Sequence, residues 1–436
     1  MKGDTITWVD GENTYKSTYR WQYFGVPVTY VEANPTFYGS WVREYIESLN
    51  GDFMYQKWRQ LDNSCVLSPF KGYEITQNNP KVVTYQGNLV VGDQELMLSV
   101  SGSTGFYGAG YNIFGNSFTA AIDVSKIKFP ESGVQKTVYI YNTGTFSEWA
   151  MQNGQAGTYI AIPQQTASVT GSEIPSMQGF LLIASENNSK ITLPYNAIDN
   201  SLTKNTVAQR INKDHTSNAN NLSYLKIEVK SNSMYDTAWL FEKENTSHLF
   251  DNGWDGYKLL GTEGMGLYFD EEIGKLQVNT LNNIDSTYIS FKAGSETQYT
   301  MTFDSENLLN KYQNLYVIDL VEKKSIKLNS NIVTYHFFAN NNISAEKRFL
   351  IKGVQKESKK HPNFRIIQKQ GLLDVQNEGM ENGVLYIYDT VGRTIATMAC
   401  LSESTTSVPC NLERGAYILK IITEKGQRQV QKIIVQ

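Results

Sequence analysis

"GVLYIYDTVGRTIATMA" (residues 383–399) decides how this chain of 436 residues is read. Val384, Tyr386 and Tyr388 alternate with Leu385 and Ile387, the period of two that places successive side chains on opposite faces of a strand. Asp389 to Gly392 then supply turn residues, and a second run begins at Thr394. "NLERGAYILKII" (411–422) and "QKIIVQ" (431–436) follow at short distance. The block reads as a compact antiparallel β-module with no reaction chemistry of its own. What such a module serves is the question it sets for the other residues.

Working outward, 436 residues leave room for two to four domains with real cores. The chain is 40% hydrophobic and only 19% charged, with 27 tyrosines among many Asn, Thr and Gly residues. Aromatic and β-branched side chains pack well on a pleated surface, so the expected class is all-β: antiparallel sandwich modules, jelly-roll or Ig-like, with a small C-terminal Ig-like sandwich. A net charge of −4 gives no electrostatic footprint for nucleic acid or an anionic membrane. No apolar run reaches 18 residues, so no transmembrane helix is expected. "MKGDTITWVDGENTYKS" lacks the apolar stretch of a signal peptide, while the composition is that of an extracellular β-protein. The expectation is a chain truncated at its start, or the tail of a longer product.

Short alternating runs bounded by Gly, Asn, Pro and Ser divide the sequence. Residues 1–65 are mixed and read as the remnant or edge of an upstream domain, with a short helix in "SWVREYIESLN" (40–50) capped by Ser40. Residues 66–205 read as one β-sandwich and 206–353 as a second. Residues 354–365, charged and ending near a proline, read as a linker to a last domain at 366–436. Cys65 reads as a buried free thiol. Cys400 and Cys410 flank a connection and are candidates to pair. No Cys/His spacing points to zinc.

Three boxes in the last 70 residues resemble the C-terminal sorting domain of Bacteroidota type IX (Por) secretion cargo. Tyr388, Asp389, Gly392 and Arg393 match the first, Leu412, Gly415, Tyr417 and Leu419 the second, and Lys432 to Val435 the last. Gly392 suits a tight turn, and Gly415 is expected to permit a close approach before the Tyr417 strand. A second, divergent resemblance lies in "GYNIFGNSFTAAIDVSKIKF" (110–129) and "IPSMQGFLLIAS" (174–185), which are similar to segments of surface proteins from the same bacterial group. The resemblance implies a secreted or outer-membrane surface-attached protein whose partner is the type IX machinery.

Candidate chemistry is sparse. His215, His248, His336 and His361 show no metal or triad spacing, and "GTEGMG" (261–266) lacks the Lys-Ser/Thr of a phosphate loop. The acidic segments "FDNGWDGYK" (Asp251, Asp255) and "YFDEE" (Asp270, Glu271, Glu272) are the candidates for structural Ca²⁺; no catalytic residue, metal ligand or other cofactor is expected. Phe106, Tyr107 and Tyr111 in a Gly-rich loop are the candidates for stacking on a ligand, with Trp8, Trp21, Tyr38 and Trp41 nearer the N-terminus. Surface glycans or a host protein are the partners such residues would serve.

The expected function is a non-enzymatic secreted or cell-surface β-protein, an adhesion, binding or structural module exported through its C-terminal domain. The alternatives are the non-catalytic C-terminal region of a larger surface hydrolase, and a carbohydrate-binding module.

Overall fold

In the computed structural model, the described residues are 2–10, 13–19, 21–49, 57–77, 82–101, 108–142, 158–171, 173–199, 222–232, 234–259, 265–294, 296–340, 345–356, 364–369, 372–377, 382–402, 404–409, 412–424, 426 and 428–435. They form an all-β, largely antiparallel architecture with short helical turns such as Ala167–Thr170 and Leu308–Lys311. The class read from composition and alternation is the class observed. The chain divides into two compact units, Met1–Val354 and Gln355–Gln436.

In the first unit, strands Gln22–Phe24, Tyr73–Gln77, Ser40–Tyr45 and Trp58–Gln60 make one four-stranded sheet, in that order. A helix over residues 40–50 is therefore not what forms. Val42 and Glu44 are buried while Trp41, Arg43 and Tyr45 are not, and Trp, Val and Tyr in alternation fit a pleat better than a helical turn. A second four-stranded sheet runs Tyr111–Gly115, Gly179–Ile183, Thr137–Asn142, Thr158–Pro163. Its inner face joins Phe118, Ile122, Ile140, Phe180 and Leu193 in a buried core. Residues 82–89, within a segment that alternates like a strand, form none; Val82 is 89% exposed.

The two segments that resemble surface-protein boxes meet through Asn116. Its buried amide donates to the carbonyls of Ala120, Ile174 and Pro175 at 2.9–3.0 Å, and its Oδ1 accepts from Phe118 N at 2.9 Å. The Asn116 backbone also exchanges hydrogen bonds with Gln178 O and Met177 N. Gly115 pairs with Gly179 across the sheet, and the chain at Gly25 passes so close that a Cβ there would lie 2.8 Å from the Gly115 backbone. Only glycine fits such a crossing.

The largest sheet has the order Lys324–Lys327, Tyr312–Asp319, Ala345–Gln355, Tyr288–Lys292, Gly266–Glu271, Gly274–Leu281, Tyr235–Glu242, Ser223–Lys230, Gln298–Glu306, Ile332–Phe338. Tyr235–Glu242 and Gly274–Leu281 pair in parallel. Strands from both ends of this order share one core of Leu225, Ile227, Phe291, Phe303, Phe337 and Phe349, so the sheet folds over itself into a sandwich. Within it Arg348 and Asp319 form an almost fully buried ion pair at 2.8 Å, with Tyr335 donating to Asp319 and the guanidinium 4.5 Å from the Phe337 ring centre. Removing either charge would strand the other in an apolar interior.

The segment Phe250–Lys258 joins this sandwich to the sheet containing Thr137–Asn142. Asn252 Oδ1 accepts from Lys136 N (2.6 Å), and its Nδ2 donates to Val134 O (3.0 Å). Thr137 Oγ1 donates to Asp255 O, Tyr257 N to Tyr139 Oη, and Ala161 N to Gln277 Oε1. The Asp255 carboxyl, itself buried, accepts from Asp251 N and Thr280 N at 2.8 Å each. Burial pushes its pKa up to about 8, against the lowering effect of those N–H donors. A carboxyl raised on folding stabilises fully below the unfolded value near ~3.9 and loses that contribution as pH climbs toward the folded value. Urea denaturation between about pH 4 and 8 is therefore expected to show the first unit weakening as pH rises, with a shallower slope for Asp255→Asn.

The second unit is a two-sheet sandwich. Phe364–Lys369, Leu372–Asn377 and Ser404–Pro409 form one sheet. Thr394–Cys400, Gly383–Tyr388, Gly415–Thr423 and Arg428–Val435 form the other, in that order. Leu373, Val375, Leu385, Ile387, Leu419, Ile421 and Ile433 fill the space between them.

Candidate functional site

The sequence boxes of the second unit fall on three neighbouring strands. Gly383–Tyr388 pairs antiparallel with Gly415–Thr423, which pairs with Arg428–Val435. Tyr388 lies opposite Ile418, and Ile418 opposite Lys432; Tyr417 faces Ile433, and Gly415 faces Val435. The matched residues thus gather toward one end of the four-stranded sheet, beside the turn at 389–393.

That turn is built by its own side chains. Asp389 Oδ1 accepts from Val391 N (3.0 Å) and Arg393 N (2.9 Å), and Oδ2 accepts from Arg393 Nε at 2.6 Å. Asp389 N donates to Arg393 O, and Gly392 N to Asp389 O. Gly392 has φ of +85°, the left-handed region where an L side chain is strained. Asp389, Gly392 and Arg393 of the Tyr-Asp-x-x-Gly-Arg box therefore each have a local physical reason. The slight desolvation of Asp389 would raise its pKa, but the N–H and guanidinium of Arg393 and the N–H of Val391 hold it below the usual carboxylate range.

The other matched residues play plainer parts. Tyr417 packs on the core edge and donates to Glu413 O at 3.0 Å, and Leu412 and Val435 pack against the same core. Lys432 is exposed. Gly415 differs from the expectation of a close approach: a Cβ there would meet nothing nearer than 3.8 Å, so the backbone does not require glycine. Cys400 is buried and free, and Cys65 is free and half-buried, whereas Cys410 lies outside the described residues.

The remaining candidates are dispersed. Phe106, Tyr107, His215 and His361 lie outside the described residues, as do residues 261–264 and the side chain of Trp8. Tyr111 is half-buried, packed with Tyr23, Tyr45, Trp58 and Tyr159 around Ile113 and Tyr139. Trp21 lies beneath the Arg43 guanidinium at 3.7 Å, while Tyr38 and Trp41 are exposed. His248 contacts Glu271 at 3.2 Å, and His336 contacts Thr300 at 3.0 Å. Asp251 and Asp255 serve the seam described above. Among the described residues no three His, Cys, Asp or Glu side chains gather as a metal site, and no helix is long and apolar enough to cross a membrane.

Sequence reasoning missed two features. The seam partners Asn252, Gln277 and Thr280 carry no local signal, because their partners come from more than 20 residues away. The outer face of the four-stranded sheet did carry one. Apart from Lys420, residues 416–422 are apolar at both parities, although a sheet with one solvated face needs only one.

Removing the Asp389 carboxylate or the Gly392 freedom is expected to destabilise the second unit. A depressed carboxyl pKa stabilises above the unfolded value and loses that effect as pH falls through the folded one. Calorimetry should therefore show Asp389→Asn melting earlier than wild type at neutral pH, with the gap closing below about pH 4. Gly392→Val is expected to cost about 1–2 kcal/mol at any pH, from its left-handed backbone.

Comparison with known proteins follows from this geometry. No protein-family model matches the chain. In an alignment of 308 residues that covers 65% of this chain, it is 35% identical to the minor fimbrium subunit Mfa5 of Porphyromonas gingivalis, and it spans 24% of that protein. A solved structure, "Biofilm associated protein - BSP domain", aligns over the whole chain with 9% identity and a TM-score of 0.15, too slight a likeness to bear on the fold.

Proposed function

We propose that this chain is a surface-displayed, non-enzymatic β-protein of fimbrial or adhesive type, and that residues 355–436 are its address for type IX secretion. The observation that carries the first part is the 35% identity over 308 residues to a fimbrium subunit from a Bacteroidota species. Support for the second part comes from the three boxes, which lie on adjacent strands beside a turn that Asp389, Gly392 and Arg393 define.

In this reading the two units divide the work. The first is a body held by buried cores, a buried Arg348–Asp319 pair and a side-chain-stitched seam, suited to structural or binding duty outside the cell. The second presents a shape to an export machine, which needs a folded surface and no reactive group. Secretion, adhesion and the machinery as partner belong together here, and surface glycans or host proteins are the ligands an adhesive body would meet.

The test is a fusion. Residues 355–436 are joined to a reporter carrying a cleavable leader and expressed in a host with a working type IX system. The reporter is expected at the cell surface or in the medium; one that accumulates in the periplasm would sink the export reading.

A further inference from the structure

The second unit carries a charge that the whole chain hides. Residues 355–436 hold 11 Lys and Arg against 8 Asp and Glu, a net +3, whereas residues 1–354 come to −7. Part of that positive charge falls on one surface. Strand pairing puts Val384, Tyr386 and Tyr388 on the outer face of the four-stranded sheet. Ala416, Ile418, Lys420 and Ile422 stand beside them, followed by Arg428, Val430, Lys432 and Ile434 on the edge strand. No carboxylate occupies an outward position on these three strands.

The register interleaves the two kinds of side chain. Tyr386 is opposite Lys420, Lys420 opposite Val430, Ile418 opposite Lys432, and Ile422 opposite Arg428. Val430 and Ile434 are 62% and 60% exposed and Ile418 is 40% exposed, a large apolar content for a solvated face. Among the described residues Lys420, Arg428 and Lys432 have no ion-pair partner.

We infer that this outer face binds an anionic lipid surface. Cations draw the face to negative headgroups, each contributing attraction that salt screens, while neighbouring aliphatic side chains enter the headgroup–acyl boundary. A protein partner fits less well, because the centres of protein interfaces are depleted in lysine and this face has Lys420 on an inner strand. Protection of an open edge explains charges on Arg428–Val435, the edge strand, but not Lys420. The inference stands apart from the export reading, since either can fail alone.

The experiment is co-sedimentation of the full chain with vesicles of phosphatidylcholine alone or mixed with phosphatidylglycerol. Binding is expected to the anionic vesicles, to weaken as salt rises, and to drop at least about thirtyfold in K420E/K432E. I418S/I434S should also weaken it, at low and high salt alike. A chain with K324E/K327E, changed on an edge strand of the first unit, should bind like wild type, and circular dichroism melts confirm that each variant folds. No binding to anionic vesicles, or binding that K420E/K432E leaves intact, overturns the inference and returns the face to a protein partner or to edge protection.

Discussion

Buried backbone groups must find partners, and in the first unit that constraint falls hardest on the Phe250–Lys258 segment. Only Gly256–Tyr257 of that segment pairs as a strand, yet it lies between the large sandwich and the sheet containing Thr137–Asn142, where water does not reach Asp255. Side chains take over the role of a ladder. Asn252 mimics a neighbouring strand toward Lys136 and Val134, and Asp255 caps Asp251 N and Thr280 N. From the sheet side, Thr137 and Tyr139 reach back to the segment. Those bonds add to an apolar contact that the two regions already share through Tyr139, Ala161, Leu181, Phe241 and Val278.

The same constraint explains what was legible in the sequence and what was not. Strands such as Ser223–Lys230 and Gln298–Glu306 bury every second residue, so their alternation could be read directly. The turn at Asp389–Arg393 was equally readable, because its stabilising bonds span four residues or fewer. Ser40–Tyr45 misled because Trp41 and Tyr45 sit four apart, a spacing that helix and pleat both allow in a short window. In the segment 249–258 the acidic residues are legible as oxygen-rich. That the Asp255 carboxyl accepts from Thr280 N is not legible, because the donor lies 25 residues away.

The two units contrast in charge and in surface. The first is acidic overall and held by large cores, while the second is basic, small and rich in apolar residues on both faces of one sheet. On the proposed reading, a body and an address would need these different surfaces: the body would keep its shape outside the cell, and the address would offer something to be read. The likeness to a fimbrium subunit covers 308 residues and about a quarter of that protein, so it bears on the kind of protein more than on its particular attachments.

The most direct measurement compares the full chain, carrying a leader, with a version lacking residues 355–436 in a host competent for type IX secretion. Protease added to intact cells reports which form reaches the surface. The account predicts that the full chain is digested and the shortened one is protected inside the periplasm. Equal digestion of both would contradict it.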